Sequence, residues 1–104
     1  MTQNSVYSTI SLATKAGKTV SGEQTVEKAI KTKKAFLVIV ASDASDRTKK
    51  QFTDACNYYK VPIKIFGNKE ELGHFMGKEF RATMAVTESG FAKMIADKIN
   101  TELN

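Results

Sequence analysis

The chain has 104 residues, 41% of them hydrophobic and 26% charged, the usage of one ordinary globular domain with one core. An enzyme with separate cofactor and substrate domains would need about twice that length, so that class is set aside. Fourteen lysines and two arginines outnumber the acids by five, and a small basic domain favours polyanionic partners such as nucleic acid.

From the N-terminus, Val6, Ile10, Ala13 and Ala16 recur at spacings of three and four, which predicts a helix over Asn4 to Ala16 with Asn4 as N-cap and Gly17 as stop. An extended piece, Thr19 to Ser21, leads into a second helix over Gly22 to Thr32. There Val26, Ala29 and Ile30 face inward, and Glu23, Glu27, Lys28 and Lys31 face outward. Ala35 to Ala41 is continuously apolar and rich in β-branched residues, as in a central strand covered on both faces. Ser42 to Ser45 is a turn with capping residues, after which Phe52, Ala55, Cys56 and Tyr59 mark one face of a helix that stops before Val61-Pro62. A strand over Ile63 to Phe66, a turn and cap at Gly67-Asn68, a short helix over Lys69 to Met76 and a strand over Ala82 to Thr87 follow. A last helix carries Phe91, Ile95 and Ile99. The alternation predicts an α/β fold: a three-layer α/β/α sandwich with a mixed, mostly parallel sheet of about four strands, in one domain over residues 1–104.

Signs of chemistry are weak. The lone Cys56 cannot close an internal disulfide and sits on an apolar helix face, where a thiol is inert and a reducing cytoplasm fits. No basic segment precedes an apolar stretch at the N-terminus, and Ala35 to Ala41 is far short of the ~20 residues that span a bilayer. Neither targeting nor membrane association is therefore expected. Ala16-Gly17-Lys18-Thr19 imitates the end of a phosphate-binding loop, but the first glycine of that motif would fall at Leu12, and the segment follows a helix instead of opening one. Asp43 stands just past the central strand. A phosphoacceptor or metal site would need further carboxylates at the other strand ends, where Ser21, Phe66 and Thr87 stand, so Asp43 reads as a turn and cap. His74 has no nucleophile partner. The expectation is a non-catalytic protein with no cofactor and no metal site.

The charge is more telling. Between Lys15 and Lys34 six lysines face only Glu23 and Glu27. At Ser21-Gly22 the second helix would present its backbone N–H groups and positive dipole end with no bulky side chain in the way. A second loop, Gly77 to Ala82, sets Lys78 and Arg81 around Phe80, an arrangement suited to an unstacked RNA base.

Taken in order, Gly22 to Ile30, Ala35 to Asp43, Val61-Pro62, Asn68 to Gly77 with Leu72-Gly73, and Ala85-Val86 resemble the kink-turn RNA-binding ribosomal protein family. The likeness runs from Ser5 to Ile95. It implies a sandwich that binds a bulged RNA stem in which tandem sheared G·A pairs flank a three-nucleotide bulge. The family motif G-x-N-E-x-x-K falls on Gly22, Gln24, Thr25 and Lys28, with Gln24 and Thr25 in place of the Asn and Glu that read base edges. Gln24 still offers a donor and an acceptor, but Thr25 lacks the acceptor pair of a carboxylate. Lys69 matches a family lysine near the RNA backbone, and Lys78, Glu79, Phe80 and Arg81 replace a more aliphatic loop that packs on the bulge.

The resemblance and the charge together imply a cytoplasmic, monomeric protein whose partner is structured RNA, ribosomal or ribosome-associated. Gly22 would allow close approach, Gln24 and Thr25 would meet base edges, and Lys28, Lys31 and Lys69 would meet phosphates. Phe80, between Lys78 and Arg81, would cover an extruded base. The alternative is a protein-interaction module of the same fold with degenerate RNA contacts; a lysine-rich stripe argues against it, since protein-binding surfaces are more often apolar and aromatic.

Overall fold

The computed structural model describes the backbone of residues 2–103 and the side chains of residues 5–101. Nine elements follow in order: α1 (Thr2–Lys15), β1 (Thr19–Ser21), α2 (Glu23–Lys31), β2 (Leu37–Val40), α3 (Asp46–Tyr59), β3 (Ile63–Ile65), α4 (Lys69–Phe75), β4 (Thr83–Val86) and α5 (Ser89–Leu103). Helix α1 begins at Thr2, so Asn4 lies inside it and not at its cap; the Asn4 side chain is outside the described residues. Gly17 does end it. With φ 73° it lets the N–H groups of Gly17 and Lys18 turn back to the carbonyls of Thr14 and Ala13, the usual way a left-handed glycine closes a helix.

The sheet runs in the order β1-β4-β2-β3. It is mixed and four-stranded as expected, but not mostly parallel: β4 pairs antiparallel with both β1 and β2, and only β2 with β3 is parallel. The reason lies in the chain after β3. Helix α4 has seven residues, about 10 Å at 1.5 Å each, and the loop beyond it folds back so that the Arg81 N–H donates to the Lys69 carbonyl at 3.0 Å. Helix and loop therefore return the chain to the end of the sheet where β3 finished, and β4 must run the other way. Inserted between β1 and β2, one reversed strand makes two of the three pairings antiparallel.

Strands β2 and β4 are buried at every position. Val6 and Ile10 of α1 and Ile95 and Ile99 of α5 are fully buried where these helices pack together, and α1 also meets α4. Elsewhere α2 packs on α3 with Val26, Ile30, Phe52 and Cys56 fully buried. Desolvation pushes the Cys56 thiol up to about 11, which leaves it protonated and unreactive at neutral pH.

Candidate nucleic-acid interface

Helix starts divide into two kinds here. Ser45 Oγ accepts from the Thr48 N–H at 3.1 Å and caps α3. Asn68 Oδ1 accepts from the Glu71 N–H at 2.8 Å at the start of α4, where Asp43 Oδ1 also accepts from the Lys69 N–H at 2.9 Å. Glu88 accepts from the N–H groups of Phe91 and Gly90 at 2.8 and 3.0 Å at the start of α5. Those bonds, aided by the charge of Lys18, hold the Glu88 carboxyl below its usual range. Helix α2 has no such cap. Gly22 stands at its N-cap with φ 94° and ψ 147° and no side chain to offer; its own N–H donates to Thr83 and its carbonyl accepts from Val26. The first N–H groups of α2, which no intrahelical carbonyl can reach, therefore have no side-chain acceptor among the described residues. A Cβ on Gly22 would meet nothing within 4 Å. Glycine is needed for the backbone conformation, and the space in front of it is open.

Around this helix start the structure gathers residues from four segments. Gln24, Thr25, Lys28 and Lys31 are all exposed on α2. Thr25 shares a cleft of about 360 Å3 with Ser21, Lys78 and Arg81. Arg81 fixes the loop before β4: its Nε donates to Ser21 Oγ at 3.0 Å and its Nη1 to the Phe80 carbonyl at 2.9 Å. Phe80 is 67% exposed and, with Lys78, lines a second cleft that also holds Glu70, His74 and Glu79. Cations and carboxylates are mixed there. Lys69, half-buried, adjoins Arg81 through the backbone bond already described. Gln24, Lys28 and Lys31 line neither cleft. Lys31 lies about 13 Å along α2 from Gly22, with its ammonium 3.8 Å from Glu27.

Glycines place the Phe80 loop. A Cβ on Gly73 would overlap the Glu79 carbonyl, so only glycine lets the loop lie against α4, where the Lys78 N–H donates to the Gly73 carbonyl at 2.8 Å. Gly77, at φ 70°, makes the turn between them. Leu72 beside it is fully buried. The Leu72-Gly73 and Gly77 pattern thus has a packing role, and its effect is to push Phe80 out.

Over residues 4–96 the chain matches the Ribosomal protein L7Ae/L30e/S12e/Gadd45 family. It belongs to that family. RNA-binding protein YlxQ of Bacillus subtilis is 48% identical over 86 residues, 83% of this chain and 86% of its own. Large ribosomal subunit protein eL30 of Candida albicans is 31% identical over 96 residues, 90% of this chain and 91% of its own. A solved structure of a protein with unknown function from Bacillus halodurans superposes with TM-score 0.89 at 37% identity, covering 91% of this chain and 96% of that one. The Giardia lamblia 15.5kD RNA binding protein shares the fold, with TM-score 0.79 at 19% identity over 96% of this chain and 86% of its own.

Within this L7Ae/L30e-type chain, the sequence reading missed Ser21 as the anchor of Arg81, and Thr14 and Met76 as walls of the first cleft. No local signal marks them, because the Ser21 and Arg81 partners are 60 residues apart. Asp43 does cap a helix, yet the helix is α4, 26 residues away. Among the described residues no three His, Cys, Asp or Glu side chains gather as a metal site, and no helix is long and apolar enough to cross a membrane.

Proposed function

We propose that the chain is a non-catalytic RNA-binding protein that recognises a bulged, kink-turn-like RNA, ribosomal or ribosome-associated, and acts as a cytoplasmic monomer. The uncapped start of α2 carries this reading. Its free N–H groups and positive dipole end suit a phosphate backbone, and Gly22 keeps the approach open. Gln24 and Thr25, exposed on the first turn, meet base edges in the groove, while Lys28, Lys31 and Lys69 meet phosphates. Phe80 covers an extruded base, flanked by Lys78 and Arg81. The two helix groups, α2 with α3 and α1 with α4 and α5, are the outer layers of a three-layer sandwich that holds these parts. Relatives named RNA-binding protein YlxQ and large ribosomal subunit protein eL30 support the reading.

The protein-interaction alternative has one observation behind it, a shallow apolar groove formed by Phe36, Pro62, Ala92 and Ala96. It borders the start of β2, whereas α2 starts beside the end where β2 finishes, so the two surfaces do not compete.

Binding of a bulged stem with tandem G·A pairs, and of the same stem with Watson–Crick pairs in their place, tests the proposal. Lys28→Ala should weaken both by about 1 to 2 kcal/mol through loss of a charge-assisted contact and leave the melting temperature unchanged. Gln24→Asn with Thr25→Glu should widen the gap between the two RNAs by about 1 to 3 kcal/mol, the value of a well-placed base-edge pair. Parent-like affinity in Lys28→Ala and an unchanged gap in the double variant would overturn it.

A further inference from the structure

The cleft beside Thr25 extends well past the residues just assigned, along edge strand β1 to the C-terminal part of α1. Its hydroxyls are not equivalent. Thr14 donates to the Ile10 carbonyl at 2.9 Å, so its 2.9 Å contact with Thr19 is one in which Thr19 donates and Thr14 accepts. Thr19 has then spent its proton and can only accept. Ser21 is the reverse: it accepts from Arg81 Nε, which leaves its O–H free to donate and polarises it with a guanidinium. Lys78 contributes an ammonium, and Arg81 retains N–H groups beyond the two in use. The strand edge itself adds both kinds of group. The Gly22 N–H donates to the Thr83 carbonyl and the Lys18 carbonyl accepts from the Thr87 N–H just past β4, and antiparallel alternation then turns the N–H and carbonyl groups of Thr19 and Ser21 alike toward the open edge.

The side chains of Ser21, Lys78 and Arg81 thus make one part of the cleft a cluster of donors and cations, and Thr19 is an acceptor beside it. A phosphate fits the first and a sugar hydroxyl the second. Val20 and Met76 add apolar wall for a ribose face, and about 360 Å3 lies within the ~300–1,000 Å3 of small-ligand sites. We propose that this cleft takes the ribose-phosphate of one nucleotide of the bound RNA strand, the phosphate at Ser21, Lys78 and Arg81 and the ribose 2′-OH donating to Thr19. The inference rests on the RNA-binding reading and extends the footprint from the α2 start onto β1 and α1. It also gives the protein a means of telling RNA from DNA at one position, because only RNA carries that hydroxyl.

The test uses Thr19→Val, which keeps the β-branched shape a strand prefers, and Ser21→Ala as a second variant, both checked by melting temperature. Each nucleotide of a bulged RNA stem is replaced in turn by its 2′-deoxy form, and each phosphate in turn by a neutral methylphosphonate. In the parent, one 2′-deoxy position should cost about threefold to tenfold in affinity, the range of a single hydrogen bond, and that cost should vanish in Thr19→Val. The methylphosphonate next to the same sugar should lose its effect in Ser21→Ala. Identical 2′-deoxy and methylphosphonate profiles in parent and variants, with Lys28→Ala still weakening RNA binding, would overturn the cleft assignment and leave the RNA reading standing. Equal and weak RNA binding by parent and Lys28→Ala would overturn both. Saturable binding of uridine 5′-monophosphate that Thr19→Val abolishes, with RNA affinity unmoved, would assign the cleft to a free nucleotide and overturn the strand assignment.

Discussion

The start of α2 and the start of α5 solve the same problem in opposite ways. Each must deal with backbone N–H groups that the helix cannot satisfy. At α5 the Glu88 carboxylate takes two of them, so that end is closed and serves stability. At α2 a glycine takes none, so that end stays open, and the donors are left for a ligand that carries its own negative charge. A helix start that looks poorly finished beside its neighbours is the one best suited to bind an anion.

If the open end works with the surrounding lysines on a phosphate backbone, the largest effect should come from salt. With about three to five phosphate contacts the log-log slope of affinity against salt should be roughly −2 to −4, or about 15-fold to 250-fold between 50 and 200 mM. A flat profile, measured by filter binding or fluorescence anisotropy, would break the comparison.

Closing the open end should be the next largest effect. Gly22→Ala forces a side chain into a backbone conformation that only glycine holds cheaply, at about 1 to 3 kcal/mol of stability. Gly22→Asp carries the same strain but can return about 0.5 to 2 kcal/mol as a cap. The aspartate variant should therefore be the more stable of the two and the weaker RNA binder, since its carboxylate occupies the donors and repels phosphate. Finding that Gly22→Asp binds RNA as well as Gly22→Ala would show that these N–H groups are not used.

A capped start should respond in stability. Ser45→Ala removes the acceptor for the Thr48 N–H and should cost about 1 kcal/mol, read from the urea midpoint; no change would mean that water satisfies that N–H equally well.

The smallest effect is acid titration of the α5 cap. The folded protein holds Glu88 below its ordinary pKa. Its stabilisation is therefore complete above the unfolded value of about 4.3 and is lost as the pH falls through the lower folded value. The stability gap between parent and Glu88→Gln should be constant from pH 7 to 5 and narrow only as the pH falls below that unfolded value and through the lower folded one. A gap that persists undiminished at pH 2 would show that the carboxylate charge contributes nothing.

Most elements could be read from the chain because their signals are local. Apolar spacing marked α1, α2, α3 and α5, the continuous run at Leu37–Val40 marked a strand covered on both faces, and Ser45, Asn68 and Gly17 marked ends within a few residues of where they act. The candidate RNA-contacting side chains on α2 were legible for the same reason: three and four residue spacing puts Gln24, Thr25 and Lys28 on or near one exposed face. What the sequence could not carry was direction and partnership across distance. Alternating helices and strands look alike whether a connection crosses the sheet or doubles back, so the reversal of β4 depended on α4 and its loop folding onto the Lys69 carbonyl. Only that reversal brings Arg81 to Ser21 and Lys78 to Thr25. Helix and strand periodicity are set by neighbours a few bonds away, whereas the cleft is set by which buried surfaces meet. Tertiary packing alone decides that.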